Sequence, residues 1–329
     1  MENALTLLGE SESKPGFILS TGSPSLDALL GGGVYSGELT EVFGAFTTGK
    51  SQLAMSVSLQ AVFFPSVSCP TLGRVWYLDS GSNFSPVRFA QMFEHNLTDK
   101  DRLADANEKL EACMKVLERV QLFDVHNAFQ VLNILSQLNF LLQETLKNIP
   151  NTNPHLIPSG TLPKIDGLNL VVIDALGVLL SPLTTMKHKF GRAIMVEIAQ
   201  LMRSIATTYN IAFLIINHSS TSELSAPNAA QSSHRTNHHP YHQQYHQGGA
   251  TTSSNRPSSS PQIPMHQPAL GKYWSYIPSV QLMLKYPSRD YILEMGGRVA
   301  ELRKSTHAPS GAKVDFTISI KGVDEALGL

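Results

Sequence analysis

Short apolar runs rich in β-branched residues alternate along the chain with longer stretches in which apolar residues recur every three or four positions. The first pattern predicts buried strands and the second predicts amphipathic helices. The predicted strands cover residues 39–43, 75–79, 120–125, 170–173 and 211–216. The predicted helices cover residues 50–63, 86–95, 102–118, 129–147 and 190–208. Because strand and helix alternate and the strands are apolar throughout, the pattern predicts an α/β fold with a mostly parallel sheet and helices on both faces.

The pattern changes in the last third of the chain. Short β-rich runs are separated there by turn signals, such as the Gly pair at 296–297. These runs predict four more strands, at residues 280–286, 291–295, 299–303 and 314–320. Short strands joined by turns are typical of antiparallel pairing, so we expect an antiparallel or mixed C-terminal extension of the sheet.

One segment, at about residues 219–267, fits neither pattern. It is rich in Ser, Thr, Asn, Gln, Pro and His, and it has few charges: Glu223, Arg235 and Arg256. A segment that can bury so little apolar surface is predicted to be disordered. Because strands are predicted on both sides of it, we interpret it as an insert in one domain, which spans residues 17–329 after a short N-terminal tail at 1–16.

Composition narrows the functional classes. The 329 residues include 25 Lys and Arg and 26 Asp and Glu, a net charge of −1, which excludes a strongly basic nucleic-acid coat. The two cysteines, Cys69 and Cys113, exclude a disulfide scaffold and favour a reducing intracellular compartment. The longest apolar run, residues 168–180, is shorter than the roughly 20 residues of a spanning helix, and residues 1–16 lack a signal-peptide pattern. We therefore expect a soluble protein.

Residues 44–51 carry the clearest chemical motif, which we call the phosphate loop. They match G-x-x-x-x-G-K-[ST] at every fixed position, and they lie between a predicted strand and a predicted helix: Gly44, Ala45, Phe46, Thr47, Thr48, Gly49, Lys50 and Ser51. In such a loop the backbone N–H groups surround phosphate oxygens, the Lys adds positive charge, and the Ser hydroxyl reaches Mg²⁺. The alternative, a chance Gly-rich turn before a helix, explains the context less well.

A phosphate loop of this kind needs an acidic partner for its metal ion. Asp174 follows the apolar strand 170–173, and a carboxylate at that end of a parallel strand lies where open α/β sheets bind ligands. A simple turn-capping Asp is the alternative. Residues 174–177 also match the D-x-x-G of GTPases, but the chain has no N-K-x-D motif that would read guanine. We therefore predict ATP with Mg²⁺, held by Ser51 and Asp174.

Several stretches resemble the RecA-type recombinase family of P-loop ATPases. They are LSTG at 19–22, SLDALLGGG at 25–33, SGELTEVFG at 36–44 and IINH at 215–218. A narrower likeness is PALGKYWSYIPS at 268–279, which is similar to a segment of the D-type (delta) paralogue group of the eukaryotic recombinases. The resemblance covers about residues 17–320 apart from the insert. It implies a RecA-like core and adds Gln52 and Asn217, the latter as a γ-phosphate sensor, to the ATP-binding residues.

The resemblance also implies a function. Paralogues of this family form hetero-oligomers that bind single-stranded or branched DNA in the nucleus, and they act in double-strand break repair by homologous recombination. We therefore expect an ATP-binding and DNA-binding subunit of such a complex. The rival hypothesis is an autonomous DNA-dependent recombinase ATPase that forms filaments on single-stranded DNA. A scaffold that needs no nucleotide is a third reading, which the intact Lys50, Ser51 and Asp174 disfavour.

Two departures from the family pattern affect the expected rate of ATP hydrolysis. Active members have a water-activating Glu two residues after the Asp that ends the second strand, and here that position is Gly81. The residue after Asn217 is His218 rather than the usual Gln. Because loss of a general base costs about 10²–10⁴ in rate, we expect weak hydrolysis. The chain also reaches the ATPase core by Phe17, so we expect it to lack the small helical N-terminal domain of the D-type group, either as a real loss or because the sequence is incomplete.

The resemblance places a first DNA-binding loop after the Asp174 strand. The cations Lys187, Lys189 and Arg192 lie there and can contact phosphates, although a solvated helix start explains them equally well. A second DNA loop would coincide with the insert, which has few cations and only two tyrosines, Tyr241 and Tyr245, to stack on bases. A disordered expansion without a DNA role is the favoured interpretation of the insert.

Three further features have two interpretations each. The histidines of the insert could bind zinc, but no Cys or carboxylate accompanies them, and a low-complexity tract explains them better: His234, His238, His239, His242 and His246. Residues Lys304, His307 and Pro309 either cap the ATP of a neighbouring subunit, as in the family, or form a surface turn. Trp274 and Tyr276 alternate as on one face of a strand, which favours packing over a partner surface.

Overall fold

The computed structural model describes residues 16–64, 72–97, 106–146, 165–184, 189–222, 265–268, 270–287 and 296–326. Contacts divide the chain into two units, one formed by Met1–Ser219 with Pro268–Leu329 and the other by Ser220–Gln267. No helix in the described ranges is both long and apolar enough to cross a membrane.

The helices are α1 (Pro24–Leu30), α2 (Lys50–Phe63), α3 (Pro86–Asn96), α4 (Ala106–Leu117), α5 (Ala128–Leu146), α6 (Leu176–Thr184), α7 (Lys189–Tyr209) and α8 (Gly271–Trp274). The strands in the first two thirds are β1 (Ile18–Leu19), β2 (Val34–Tyr35), β3 (Leu39–Gly44), β4 (Arg74–Asp79), β5 (Val120–Asp124), β6 (Leu168–Asp174) and β7 (Ala212–Ser222). The remaining strands are β8 (Met265–Pro268), β9 (Val280–Lys285), β10 (Gly297–Lys304), β11 (Lys313–Ser319) and β12 (Gly322–Glu325).

The main sheet has the strand order β12-β11-β10-β9-β3-β7-β6-β4-β5, and β8 pairs with β7. The six strands from β9 to β5 are parallel, and β10, β11 and β12 are antiparallel to their neighbours. The predicted fold class, a mostly parallel sheet with an antiparallel C-terminal extension, is therefore confirmed. The extension begins only with β10, because β9 lies parallel beside β3.

Helices cover both faces of the parallel strands, as the uninterrupted apolar strands predicted. Along β6, Leu170 and Val172 pack into one core with α2 and α3, whereas Val171 and Ile173 pack into the other with α5 and α7. This division follows from the alternation of side chains along a strand. It places the carboxyl ends of β3, β4, β6 and β7 together at one edge of the sheet.

The structure differs from the sequence-based elements in two places. Helix α6 was not predicted, because its residues continue the apolar run of β6 without a polar face. The predicted insert begins and ends in strands, since β7 continues to Ser222 and β8 starts at Met265. Backbone pairing requires no apolar side chains, so a polar segment can have strands at its ends. The predicted strand at 291–295 and residues 223–264 lie outside the described residues.

Candidate nucleotide-binding site

The phosphate loop connects the end of β3 to the start of α2, as predicted. Gly49 precedes the helix with a φ of 97°, in the left-handed region that favours glycine. Close packing requires glycine at Gly44 as well, because a Cβ there would lie 2.2 Å from the carbonyl oxygen of Leu284 on the neighbouring β9. The main chain of the loop is therefore tightly fitted between two strands and the first turn of α2.

Lys50 begins α2 and is almost fully buried, with 6% of its surface exposed. Its Nζ donates hydrogen bonds to the carbonyl oxygens of Gly44 at 3.2 Å and Ala45 at 2.6 Å. Burial lowers the pKa of Lys50 to about 8, although the negative charge of Asp174 acts in the opposite direction. The ammonium group is thus held inside the loop at a position where a bound anion would stabilise its charge.

Asp174, the last residue of β6, lies at the same place. Its carboxylate is buried, and it accepts hydrogen bonds from the Tyr77 hydroxyl at 2.9 Å and from the Ser51 side chain. Burial raises the pKa of Asp174 despite these two hydrogen bonds. The structure therefore brings together the two predicted metal ligands. A hydroxyl and a carboxylate oxygen beside a phosphate-binding loop suit Mg²⁺, which prefers oxygen ligands and usually retains several waters.

A cleft of about 610 Å³ opens in front of these residues. Its size falls within the usual range for small-molecule sites. Seven of the predicted site residues line it: Phe46, Thr47, Gly49, Lys50, Ser51, Gln52 and Asp174. The side chain of Thr48 is buried instead and donates from its Oγ1 to the carbonyl oxygen of Ala45 at 2.9 Å. Gln52 accepts from Arg88 Nε at 3.0 Å, which links α2 to α3.

Asn217 does not line the cleft, contrary to its predicted place among the ATP-binding residues. Its fully buried amide donates to Glu41 Oε1 at 2.5 Å and accepts from the backbone N–H of Gly177 at 2.6 Å. His218 lines the cleft instead, and its ring stacks on Phe46 with centroids 4.2 Å apart. Burial lowers the pKa of His218, and the nearby charge of Lys50 lowers it further. Successive strand residues point to opposite sides, which explains why only one of the two can face the cleft.

Gly81, the position at which the family resemblance implies a water-activating Glu, is also part of the cleft. Gly81 lines it, and a Cβ added there would approach the Asn83 side-chain nitrogen at 3.3 Å. Asp79, the last residue of β4, does not serve as a substitute, because backbone N–H groups of the following turn surround its buried carboxylate. They belong to Gly81 at 3.1 Å, Asn83 at 3.0 Å and Phe84 at 2.8 Å. Among the described cleft-lining residues, Asp174 is the only carboxylate.

Sequence analysis did not identify the residues that reach the cleft from distant segments. His218, which departs from the family motif, is an exception, and the others are Ser80, Asn83, Ala175, Val178, Gly296, Arg298 and Ile318. No motif connects them with the phosphate loop. Arg298, for example, is an ordinary cation after a Gly pair in the sequence, and only the pairing of β9 and β10 beside β3 brings it to the loop.

Of the predicted DNA-binding residues, only Arg192 can be assessed. It is exposed near the start of α7, and its guanidinium lies over the Tyr273 ring at 5.6 Å. Lys189 begins α7, and Lys187 lies outside the described residues, as do Tyr241, Tyr245 and the insert histidines. In the described part of the chain, no group of three or more His, Cys, Asp or Glu side chains could hold a metal ion.

Near the C-terminus, the three residues of the predicted ATP cap lie in and after β10. Lys304 Nζ donates to the carbonyl oxygen of Pro278 at 2.6 Å. His307 stacks on Tyr35 with centroids 3.6 Å apart and pairs with Glu38 at 2.8 Å. Within one chain, Lys304 and His307 thus have structural contacts, as in the surface-turn interpretation.

Trp274 and Tyr276 do not share a face, although their spacing predicted that they would. Trp274 is fully buried at the end of α8, and its Nε1 donates to Glu41 Oε1 at 2.8 Å. Tyr276 is 68% exposed. The packing interpretation is therefore right for Trp274 and wrong for Tyr276, because the segment is a short helix and turn rather than a strand.

Comparison with known proteins agrees with this geometry. A sequence model of the Rad51 family, described as Rad51, matches residues 14–136. The chain is 28% identical over 307 residues to a protein of Dictyostelium discoideum named probable DNA repair protein RAD51 homolog 4, covering 88% of this chain and 71% of that protein. It is 27% identical to the DNA repair protein RAD51 homolog 4 of Bos taurus, covering 90% and 69%.

A shorter and stronger match involves the archaeal DNA repair and recombination protein RadB of Thermococcus sibiricus, with 44% identity over 84 residues, which cover 26% of this chain and 32% of that protein. The crystal structure of the RadB recombinase superposes with a TM-score of 0.59 at 20% identity, over 94% of this chain and 99% of that chain, and so shares the fold. Together, these comparisons show that the chain is similar to Rad51-type DNA repair proteins over most of its length and shares the fold of the RadB recombinase.

Proposed function

We propose that the chain is an ATP-binding and DNA-binding subunit of a recombinase-paralogue complex, with weak ATP hydrolysis. It would act in the nucleus, in double-strand break repair by homologous recombination. The observation that carries the proposal is a contrast within one cleft. Lys50, Ser51 and Asp174 meet there and could bind phosphates and Mg²⁺, whereas Gly81 lies where the family resemblance implies the acid that would activate water.

Nucleotide binding follows from what these residues can do. The backbone N–H groups of the phosphate loop and the start of α2 would hold the phosphates. Lys50 would supply a positive charge that burial makes costly until an anion arrives. Ser51 and Asp174 would hold Mg²⁺, which neutralises charge on the phosphate oxygens when it is bound. Binding is therefore supported by geometry, charge and a preformed cleft.

Slow hydrolysis is expected because the groups in the cleft that can accept a proton are poor general bases. Among the described cleft-lining residues these are the Asp174 carboxylate and the His218 imidazole. Asp174 is committed to Ser51 and the metal site. His218 has a lowered pKa, so it is neutral at pH 7 but a weaker base than an ordinary histidine. ATP would thus remain bound long enough to act as a structural ligand that sets contacts between subunits.

The DNA and partner components of the proposal have separate support. The relatives named RAD51 homolog 4 are described as DNA repair proteins, and RadB as a DNA repair and recombination protein. The exposed Arg192 can contact a phosphate. The likeness of residues 268–279 to the D-type group, together with matches to RAD51 homolog 4 across most of the chain, supports a paralogue role over that of the main recombinase.

The test is to purify the chain alone and with candidate paralogue partners, and to measure ATP binding and turnover with and without single-stranded DNA. We expect Mg²⁺-dependent ATP binding, a stable hetero-oligomer and slow turnover that DNA stimulates little. Fast DNA-stimulated turnover and filament formation by the chain alone would favour the autonomous recombinase instead. Absence of ATP binding would contradict both candidates.

A further inference from the structure

Two side chains, one just after β9 and one in β10, donate hydrogen bonds to the tip of the phosphate loop. Tyr286, which directly follows β9, donates from its hydroxyl to the carbonyl oxygen of Phe46 at 2.8 Å and also contacts the Thr47 side chain. Arg298, in β10, donates from Nη2 to the carbonyl oxygen of Thr47 at 3.3 Å. The Arg298 guanidinium lies 5.1 Å from the centre of the Tyr286 ring. Two consecutive loop carbonyls are thus bound by residues about 240 positions away in the sequence.

Thr47 needs such support because of its backbone conformation. Its φ is 58°, in the left-handed region, and a β-branched residue is rarely found there because its side chain crowds the backbone. A residue in this conformation persists only where surrounding contacts impose it, and such residues concentrate at functional sites. The contacts that hold Thr47 on both sides are those of Tyr286 and Arg298.

The same contacts orient the donors of the loop. Peptide bonds are trans almost without exception, and those after Phe46 and Thr47 are trans. In a planar trans peptide the N–H points away from the C=O of the preceding residue. Holding the Phe46 and Thr47 carbonyls therefore directs the N–H groups of Thr47 and Thr48 away from Tyr286 and Arg298. Backbone N–H groups of this loop type are the donors that bind phosphate oxygens.

We propose that Tyr286 and Arg298 are positioning residues that hold the phosphate loop in its phosphate-binding conformation. Tyr286 acts only through the loop, since it does not line the cleft. Arg298 lines the cleft, and its buried Nε has no hydrogen-bond partner among the described residues, so its charge also attracts a bound polyphosphate. The inference rests on the proposed ATP binding, and its ligand is the phosphate chain of a nucleoside di- or triphosphate.

The first experiment is equilibrium titration of Tyr286→Phe with fluorescent ATP and ADP analogues in the presence of Mg²⁺. Loss of one hydrogen bond to the loop is expected to weaken the binding of both nucleotides about three- to tenfold. The two factors are expected to be equal, because both nucleotides carry the phosphates that the loop surrounds. Tyr276→Phe, at the exposed Tyr276, is the matched control and is expected to bind like the wild type. Arg298→Ala is a second variant and is expected to weaken ATP binding at least as much.

A double-mutant cycle separates positioning from a general structural effect. Glycine adopts the φ of residue 47 without cost, so Thr47→Gly makes the loop less dependent on its supports. In that background, Tyr286→Phe is expected to change affinity less than about twofold. An equal loss in both backgrounds would show that Tyr286 does not act through the loop and would overturn the inference. Unchanged ATP affinity in both Tyr286→Phe and Arg298→Ala would also overturn the inference. In that case the proposed function would still stand if the wild type bound ATP and Lys50→Ala did not.

Discussion

The neighbouring strands β4 and β6 both end in a buried aspartate, and the two aspartates have different environments. Asp79 and Asp174 are register partners in the sheet. The carboxylate of Asp79 accepts four hydrogen bonds, three from backbone N–H groups and one from the Asn83 side chain, all within the turn that follows β4. The carboxylate of Asp174 faces the cleft, where it meets Ser51 and Tyr77.

The different environments of Asp79 and Asp174 show that position at a strand end does not determine the role of a carboxylate. Asp79 is saturated by donors of its own turn and fixes the backbone around Gly81 and Asn83. One donor to Asp174, the Ser51 side chain, also lines the cleft, and burial keeps the pKa of Asp174 raised. One strand end therefore stabilises a loop, and the other places a carboxylate in the cleft as a candidate metal ligand. The following predictions test this division, from the largest expected effect to the smallest.

Gly81→Glu is expected to have the largest effect. A Glu at this turn would add the missing proton acceptor and is expected to raise ATP turnover by about 10² or more. The backbone permits the change, because Gly81 is not among the glycines with positive φ and the nearest atom to a new Cβ is the side-chain nitrogen of Asn83, at 3.3 Å. Steady-state phosphate release measures the effect.

The matched control is Gly81→Gln, which has the same shape but cannot accept the proton, and which is expected to stay at the wild-type rate. Robust DNA-stimulated turnover in the wild type, abolished by Lys50→Ala, would contradict the weak-hydrolysis proposal. Since Asp79 is already saturated by its turn, His218 would then be the first candidate for the base.

Lys50→Ala is expected to weaken ATP binding at least about tenfold, because the bound phosphates lose a buried cation. Titration with a fluorescent ATP analogue measures the loss. Lys115→Ala is the control, since Lys115 is exposed on α4 and pairs with the neighbouring Glu111. Equal affinity of wild type and Lys50→Ala would show that the cleft is not the nucleotide site.

Asn substitutions at the two aspartates test the comparison directly. Asp79→Asn is expected to lower the free energy of unfolding by about 2–3 kcal/mol, because one oxygen is replaced by a donor that faces backbone N–H groups. Asp174→Asn is expected to leave stability unchanged or higher, since a raised carboxyl pKa means that the charged form is costly in the folded state. It should instead remove the effect of Mg²⁺ on ATP affinity.

Urea unfolding and ATP titrations with and without EDTA measure both properties for each variant. If the two substitutions lowered stability equally and left the Mg²⁺ effect intact, the division of roles between the strand ends would be wrong.

How much of this site the sequence predicts depends on how local each feature is. The phosphate loop is contiguous, and its chemistry requires fixed spacing, so its residues and the flanking strand and helix were predictable. Asp174 was predictable because it ends an apolar strand. The choice between Asn217 and His218 depends on which side of β7 each faces, and Arg298 and Tyr286 reach the loop only through pairing of distant strands. Neither local pattern nor spacing contains that information.

The pH dependence of ATP binding gives a smaller effect. With a pKa of about 8 instead of its ordinary 10.5, Lys50 is charged below pH 8 and loses its proton above it in the nucleotide-free protein. ATP affinity is therefore expected to be constant from pH 6.5 to 7.5 and to fall above about pH 8, and binding at pH 8.5 should take up a proton. Calorimetry in two buffers of different ionisation enthalpy measures this uptake, which Lys50→Ala should abolish.

The lowered pKa of Lys50 also determines how its contribution to the free energy of unfolding changes with pH. A lysine that titrates lower in the folded state binds more protons when unfolded between about pH 8 and 10.5, so the contribution of Lys50 to stability rises with pH in that window. Proton release instead of uptake on ATP binding would contradict the buried position of Lys50.

The smallest effect is expected from shortening the polar insert. This change tests whether the strand ends at Asp79 and Asp174 function without the insert. Replacing residues 223–264 by a Gly/Ser linker of about ten residues shortens the loop about fourfold. A change of that size alters the free energy of unfolding by only about 1 kcal/mol. A segment that can bury little apolar surface adds little else, so ATP affinity and melting temperature should stay close to wild type. Deleting Thr221 to His266 is the matched comparison, since it also removes the ends of β7 and β8, and it should lower the melting temperature more. A large loss of ATP affinity in the shorter deletion would show that the insert contributes to the nucleotide site. The contrast between Asp79 and Asp174 would then no longer account for the chemistry of the cleft.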